Sequence, residues 1–200
     1  MKLLTFAHKK EAQAFLSSYT FKKGKSPIQS LYHCSQFYLL ITGEGLNANH
    51  ERLNMTLLKI RNEIDEVINL GVAGSVSLNL FVYDLVWIQK VHLWQNNQLN
   101  SKTFTSASNE ALHDCISSPH VVFDFNQKKQ LAMTASVVDC ELWATANLCF
   151  EFKLPFQSLK VISDDLHSNN ADLKSSIIKD SKQFSEKLFN EYQKRFPAIR

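Results

Sequence analysis

Three acidic residues, Asp139, Glu141 and Asp164, stand at the junctions of one short stretch, residues 137–167, VVDCELWATANLCFEFKLPFQSLKVISDDLH. Its pattern reads as strand, helix, strand. Val137 and Val138 end an apolar run, and Asp139 and Glu141 follow where a helix should begin. Leu142, Ala146 and Cys149, flanked by Trp143, Ala144 and Phe150, then recur at helical spacing. Leu154-Pro155 stops the helix, because proline disfavours helical geometry in the residue before it. A second apolar run, residues 159–162, ends in Ser163-Asp164-Asp165. In α/β sheets ligands bind at the carboxyl ends of strands, so Glu141 and Asp164 are expected close together, with Asp165 as the substitute acid should Asp164 face away. Carboxyl groups gathered in a cleft can give and take protons. Singly, each has a plainer reading: Asp139 and Glu141 as favourable charges at a helix N-terminus, Asp164 as a cap or turn former.

The elements that must position these acids follow from hydrophobic periodicity. Residues 2–7 read as a buried first strand and residues 8–18 as a helix carrying Ala12, Phe15 and Leu16 on one side, with Glu11 in its first turn. Residues 22–27 are a polar turn, and residues 31–34 and 37–42 a pair of strands. Gly43-Glu44-Gly45 leads into a helix whose stripe is Leu46, Leu53, Leu57, Ile60 and Ile64. Strand, GxG turn and helix suggest a dinucleotide site, but that fingerprint wants an acid ending the next strand. The next strand, residues 66–70, ends instead in Gly71-Val72-Ala73-Gly74-Ser75, small-residue backbone suited to a ligand's close approach or to a tight turn. Further strands are expected over residues 84–93, 120–125 and 133–138, and a short helix over 109–116. A polar loop spans residues 94–100. A polar stretch, 165–172, precedes a closing helix with Leu173, Ile177, Phe184, Leu188 and Tyr192 on one stripe.

Alternating strands and helices predict one three-layer α/β/α domain around a mixed sheet, spanning residues 1–200. At 44% hydrophobic and 20% charged, the composition suits a packed core rather than disorder. The lysines at Lys9-Lys10, Lys22-Lys23-Lys25 and Lys128-Lys129 read as solvated faces, which gives no footprint for nucleic acid. No run approaches the roughly 20 apolar residues of a membrane span, and His8-Lys9-Lys10 interrupts any signal-like N-terminus. Cys34, Cys115, Cys140 and Cys149 show no CxxC spacing and read as reduced thiols of a cytoplasmic protein. The seven histidines form no HxH or HExxH arrangement, so neither a metal nor another cofactor is expected.

Four segments in order carry a resemblance. Cys140-Glu141 stands where a Met-Glu pair would open a helix, and Ile162-Ser163-Asp164 matches an Ile-Ser-Asp motif in full. Residues 67–75, VINLGVAGS, are similar to a central strand with its glycine turn, and residues 1–11 place an acid just beyond the first strand. Together they resemble the nucleoside phosphorylase and nucleosidase superfamily, which includes methylthioadenosine/S-adenosylhomocysteine nucleosidase and futalosine hydrolase. The resemblance spans nearly the whole chain and implies cleavage of the N-glycosidic bond of a purine nucleoside. It makes Asp164 the acid that protonates the leaving base at N7 and Glu11 the base that activates water. It makes Glu141 the holder of the ribose hydroxyls, with Cys140 packed under the ribose and Asp139 beside them. Val72, Ala73 and Gly74 would lie against the ribose and the attacking water, although Val72 replaces a serine usual in the methylthioadenosine enzymes. Residues 104–108 resemble the segment lining the base pocket, which nominates Ser106; they read equally well as a serine-rich helix entry. The chain is shorter than the better-known nucleosidases, with the loss placed between Trp94 and Lys129.

Hydrolysis is favoured over phosphorolysis on composition. Phosphate recognition calls for arginine donors, which the phosphorylases place near the N-terminus and before the glycine turn. Here residues 1–51 contain no arginine, and Asn69-Leu70 precede Gly71; Lys9 or Lys10 could substitute in part. A relative that binds nucleosides without turning them over is the remaining alternative, against which the intact Glu11, Glu141 and Asp164 argue. Methylthioadenosine, S-adenosylhomocysteine, futalosine, adenosylhopane and simple nucleosides are all candidate substrates, and a homodimer is the expected assembly.

Overall fold

The computed structural model describes residues 1–22, 30–109, 111–120, 122, 125–165 and 173–197. The expected polar turn and the polar stretch before the closing helix lie mostly outside these residues. So do Val121, Phe123 and Asp124 of the expected strand at 120–125.

The chain forms a mixed sheet with helices on both faces. Strands β1 (Lys2–Phe6), β3 (Phe37–Ile41), β4 (Glu66–Ser75) and β10 (Phe156–Asp164) run parallel, β1 lying between β3 and β4, and β10 along the other edge of β4. β2 (Leu31–His33) closes one side antiparallel to β3. Period-2 alternation divides the core between two layers. Leu3, Tyr38, Leu40 and Val67 pack with α2 (Leu46–Ile60) and α4 (Leu142–Glu151). Leu4, Phe6, Leu39 and Ile68 pack with α1 (Gln13–Ser18) and α5 (Leu173–Arg195). On the α1/α5 side the rings of Phe15, Phe37, Phe189 and Tyr192 meet edge-to-face, a geometry worth about 0.5–1.5 kcal/mol per pair beyond burial.

At the other end the sheet curls into a ring. β10 pairs antiparallel with β5 (Leu85–Gln95), β5 parallel with β8 (His113–Ser117), β8 parallel with β9 (Val137–Asp139), and β9 returns antiparallel to the end of β4. β6 (Gln98–Leu99) and β7 (Phe104–Thr105) pair onto β5. β4 serves both parts. Its first half binds β1, its last residues bind β9, and β10 accompanies it from Val67 to Gly74.

Several expectations are corrected. The helix expected over 109–116 is replaced by strand β8, whose short apolar run is buried between β5 and β9, so tertiary pairing overrides local signals. Beyond β8, the described residues His120 and Val122 of the expected strand at 120–125 lie in no strand, and Phe125 opens helix α3 (Phe125–Leu131). Of the expected strand at 133–138 only Val137 and Val138 lie in β9, and Asp139 extends that strand instead of starting a helix. Glycines 71 and 74 lie within strand β4, not in a turn, because β10 and β9 hydrogen-bond that segment on its two edges. The first helix is also shorter, leaving Glu11 in the turn before it. Residues 94–100, expected as a loop, make the tip of the β5–β6 hairpin.

The ring encloses a charge. Lys160, fully buried on β10, places Nζ 2.8 Å from Asp139 Oδ2, both side chains 3% or less exposed. Burial alone would lower the lysine's affinity for its proton, but the Asp139 and Glu141 charges overcome this and raise it. Removing one member of a buried pair leaves the other uncompensated, so Lys160→Met should lower stability by about 3–5 kcal/mol in chemical denaturation. A loss below about 1 kcal/mol, the range of exposed pairs, would contradict the pairing.

Candidate active site

Glu11 reaches the site from the turn after β1. Its Oε2 accepts the His8 N–H at 2.9 Å and its Oε1 the Val72 N–H at 3.1 Å. From α5, the Ser185 hydroxyl donates to the Glu11 carbonyl at 2.7 Å and accepts the Ala14 N–H, pinning the turn from behind. A Cβ on Gly71 would stand 3.3 Å from Glu11 Oε1, so the carboxylate lies close against the β4 backbone.

Asp164 sits at the end of β10, where a bulge interrupts the pairing: Ile162 faces Ala73 and Asp164 faces Gly74, with Ser163 as the extra residue. Such bulges re-aim side chains next to functional sites. Ser163 donates from Oγ to Asp164 Oδ1 at 2.9 Å and lies 3.3 Å from the Ala73 carbonyl. A Cβ on Gly74 would meet Asp164 Oδ2 at 3.0 Å and Oδ1 at 3.1 Å. Gly71 and Gly74 are three residues apart on β4, about 10 Å of strand. The two glycines thus each admit one carboxylate against β4.

Glu141 is the residue before α4, yet its side chain makes no cap. The first N–H groups of α4 are satisfied otherwise: Leu142 donates to Asp139 Oδ2 at 3.0 Å and Trp143 to Ser117 Oγ at 2.8 Å, while the Ser117 hydroxyl donates to Asp139 Oδ1 at 2.6 Å. Glu141 is therefore released to cross to the GxG turn, where Oε1 accepts the Gly45 N–H at 2.8 Å. Gly43 and Gly45 both have positive φ, +90° and +86°, which glycine adopts freely. The carboxylate so placed meets the N-terminus of α2, where negative charge is favoured. Burial first, then the Asp139 charge, pushes Glu141 up from its ordinary 4.5 to about 7, although Lys160 and the Gly45 N–H pull it down.

One cavity of about 670 Å³ is lined by Glu11, Glu141 and Asp164 together, with Cys140, Val72, Ala73 and Gly74. Asp139 also borders it, but both of its oxygens are committed to Ser117, Leu142 and Lys160, so it acts as a support beneath Glu141 and not as a free contact. Burial pushes the half-buried Cys140 thiol up, keeping it neutral and apolar in character. Ser106 is not brought here. It lines a separate cavity of about 570 Å³, where its hydroxyl lies 3.4 Å from the Phe156 carbonyl and accepts the Ser108 N–H.

Other parts of the site were given no site role from sequence, apart from Lys9 and Lys10 as possible phosphate donors. Lys128, read as a solvated charge, is 2% exposed and sets Nζ 3.4 Å from Asp164 Oδ2. His8, Lys9, Lys10 and His120 border the cavity, and α5 contributes Ile177, Ile178, Ser181 and Phe184. The helical stripe on α5 carried a signal for Ile177 and Phe184; Lys128, on a helix the sequence did not announce, carried none. Among the described residues no group of three or more His, Cys, Asp or Glu side chains could hold a metal ion, and no helix is long and apolar enough to cross a membrane.

No protein-family model and no curated protein matches the chain. Solved structures do match over nearly the full length. Arabidopsis thaliana 5′-methylthioadenosine nucleosidase in apo form superposes with TM-score 0.82 at 16% identity, covering 100% of this chain and 96% of that one. A mutant of the Helicobacter pylori MTAN with 5′-methylthioadenosine in its active site gives 0.80 at 15% identity, covering 96% of each chain. A futalosine hydrolase mutant of the same organism gives 0.79 at 16%, covering 94% and 95%. At such identities the likeness is one of fold: the chain folds as these nucleosidase and hydrolase structures do.

Two outcomes test the geometry. The unfolded Glu141 carboxyl ionises near its ordinary 4.5 and the folded one near 7, so the native state holds the extra proton between these values. Stability from this group is therefore lost as pH rises through that window, and Glu141→Gln should gain a few kcal/mol relative to wild type on going from acid to alkaline conditions. A mutant-minus-wild-type difference in Tm that is flat with pH would refute the shift. Gly74→Ala should displace the Asp164 carboxylate, and a crystal structure of that variant with Asp164 unmoved would show the contact to be slack.

Proposed function

We propose that the chain is an N-ribosyl hydrolase that cleaves the N-glycosidic bond of a purine nucleoside such as methylthioadenosine, S-adenosylhomocysteine or futalosine, with water as nucleophile. The observation that carries this reading is the meeting of Glu11, Glu141 and Asp164, from opposite ends of the chain, on one cavity of a nucleosidase-type fold. Asp164 delivers a proton to the leaving base at N7 as the carbon–nitrogen electron pair passes to the base. Glu141 accepts hydrogen bonds from the ribose hydroxyls and its negative charge stabilises the cationic sugar. Glu11, aimed by two backbone N–H donors, takes a proton from the attacking water. Cys140 and the Val72–Gly74 backbone provide the small, neutral wall on which the ribose rests.

Hydrolysis is preferred over phosphorolysis because, among the described residues, no arginine lines the cavity to hold a phosphate. Arg61 instead donates to the carbonyls of Phe152 and Lys153, and Arg195 to Ser108. The enzyme works as a cytoplasmic homodimer in this reading, which sedimentation of the purified chain can test.

The deciding assay measures free base and reducing sugar released from a panel of nucleosides, with and without phosphate. Asp164→Asn and Glu11→Gln should each lower kcat by roughly 10²–10⁴-fold while KM changes little, since each removes a proton-transfer group and leaves the ribose contact of Glu141 in place. Base release that requires phosphate and yields a sugar 1-phosphate would make the chain a phosphorylase. Nucleoside binding without any base release would make it a binding protein.

A further inference from the structure

Lys128 has a place the proposed reaction does not yet use. It lies on α3, whose Leu131 joins Val122, Ala135 and Val138 in a small apolar cluster beside the ring. Lys129, one residue on, is exposed, whereas the Lys128 side chain is 3% exposed and points its ammonium at Asp164, 9% exposed. Nζ lies 3.4 Å from Oδ2 and 3.5 Å from the Asp165 carbonyl. Removing an ammonium from water costs several kcal/mol unless a partner offsets it, so this lysine is spent on the carboxylate that must supply a proton. A cation beside a carboxylate favours its ionised form, which is the wrong form for an acid acting alone.

We infer that Lys128 and Asp164 hold the transferred proton together, with Lys128 as a positioning residue that recharges the acid from behind. The inference rests on the nucleosidase reading of the cavity. In the resting pair Lys128 is an ammonium and Asp164 a carboxylate. As substrate reacts, Nζ gives one proton to the carboxylate, and the carboxyl so formed gives a proton to the leaving nitrogen. The glycosidic electron pair goes to the base, the attacking water forms the new bond to the sugar, and its proton passes to Glu11. Solvent then returns a proton to Lys128 and removes the one on Glu11, so the cycle closes with one water consumed. Ser163 holds the other carboxylate oxygen throughout, which keeps the acid in line between lysine and base.

Other titratable groups around this end of the cavity could shape its pH response. Glu11, His8, Lys9 and Lys10 face it from beyond β1, Glu44 from beyond β3, and His120 from beyond β8. Cys140 and Glu141 face it from the start of α4, and the Lys160–Asp139 pair lies beneath. Among the described residues, α5 offers Ile177, Ile178, Ser181 and Phe184. None of these touches Asp164 as Lys128 does among the hydrogen bonds and ion pairs described, so a change confined to position 128 reads the pair.

The test is the pH profile of kcat for wild type, Lys128→Met and Lys128→Arg, on whichever nucleoside of the panel wild type cleaves. Wild type should gain kcat as Glu141 ionises at about 7, hold it above that, and lose it only well to the alkaline side. Lys128→Met leaves a lone carboxyl, so its activity should approach wild type near about pH 5 and fall roughly 10²–10⁴-fold below it near about pH 8. Lys128→Arg keeps the charge but releases no proton, and should stay low across the range. An unshifted profile in Lys128→Met, or wild-type kcat in Lys128→Arg, overturns the shared proton and leaves the nucleosidase reading intact. Should both variants misfold, the wild-type profile still decides, because a kcat already lost above about pH 6 is that of a lone carboxylic acid. A wild type that releases no base from any nucleoside overturns both.

Discussion

An ammonium group closed inside a ring of strands is tolerable only against a carboxylate, and Lys160 on Asp139 meets that demand. Much of the cleft depends on this pair. Lys160 fixes Asp139, which together with Ser117 satisfies the first N–H groups of α4. With the helix start already capped, Glu141 can turn away from its own helix and span to Gly45 at the start of α2. The Asp139 charge then helps to raise the Glu141 carboxyl, while Lys160 restrains the shift. One buried pair thus sets the direction of a side chain, the end of a helix and the proton affinity of a neighbouring acid.

β4 imposes the second constraint, since it must satisfy β1, β9 and β10 along ten residues and still leave room for carboxylates. A side chain at Gly71 would crowd Glu11, and one at Gly74 would crowd Asp164. The segment is therefore small-residue for the sake of the protein's own acids. Val72, between them, contributes its N–H to Glu11 and its side chain to the α5 layer. A serine at that position would change the second of these and not the first.

The layered fold was legible in the sequence because period-2 strands and 3.6-period helices alternate over most of the chain, and Glu141 and Asp164 could be read as neighbours from their junctions alone. Residues 109–138 were not legible. There the strands are short, β8 is held by partners on both sides, and α3 shows no apolar stripe, so nothing local announces the ring. That blind region hid Lys128, whose burial depends on a helix brought back over the end of β10. Ser106 lies before that region: its segment follows β7, which pairs with β5, and faces a different cavity. Asp139 was legible as a neighbour of the site, but its commitment to Lys160 required the closure of β9 onto β4.

The acids of the cleft differ in what holds them, and the difference follows from position. Glu11 leans on two backbone N–H groups, one from the turn after β1 and one from β4, which fix its carboxylate in place. Asp164 is held by a hydroxyl and an ammonium, both able to pass protons. Glu141 has one N–H donor and a like charge nearby, and its proton affinity rises toward neutrality. Such donors are already oriented, so in the proposed reaction no water need reorganise around charge as it shifts. A cleft with three carboxyl groups would repel itself if all were alike. These are distinguished by their partners, and the partners come from the backbone of β4, the bulge in β10, the turn before α2 and the helix α3. The chemistry is therefore a property of how the sheet ends, more than of the acids themselves.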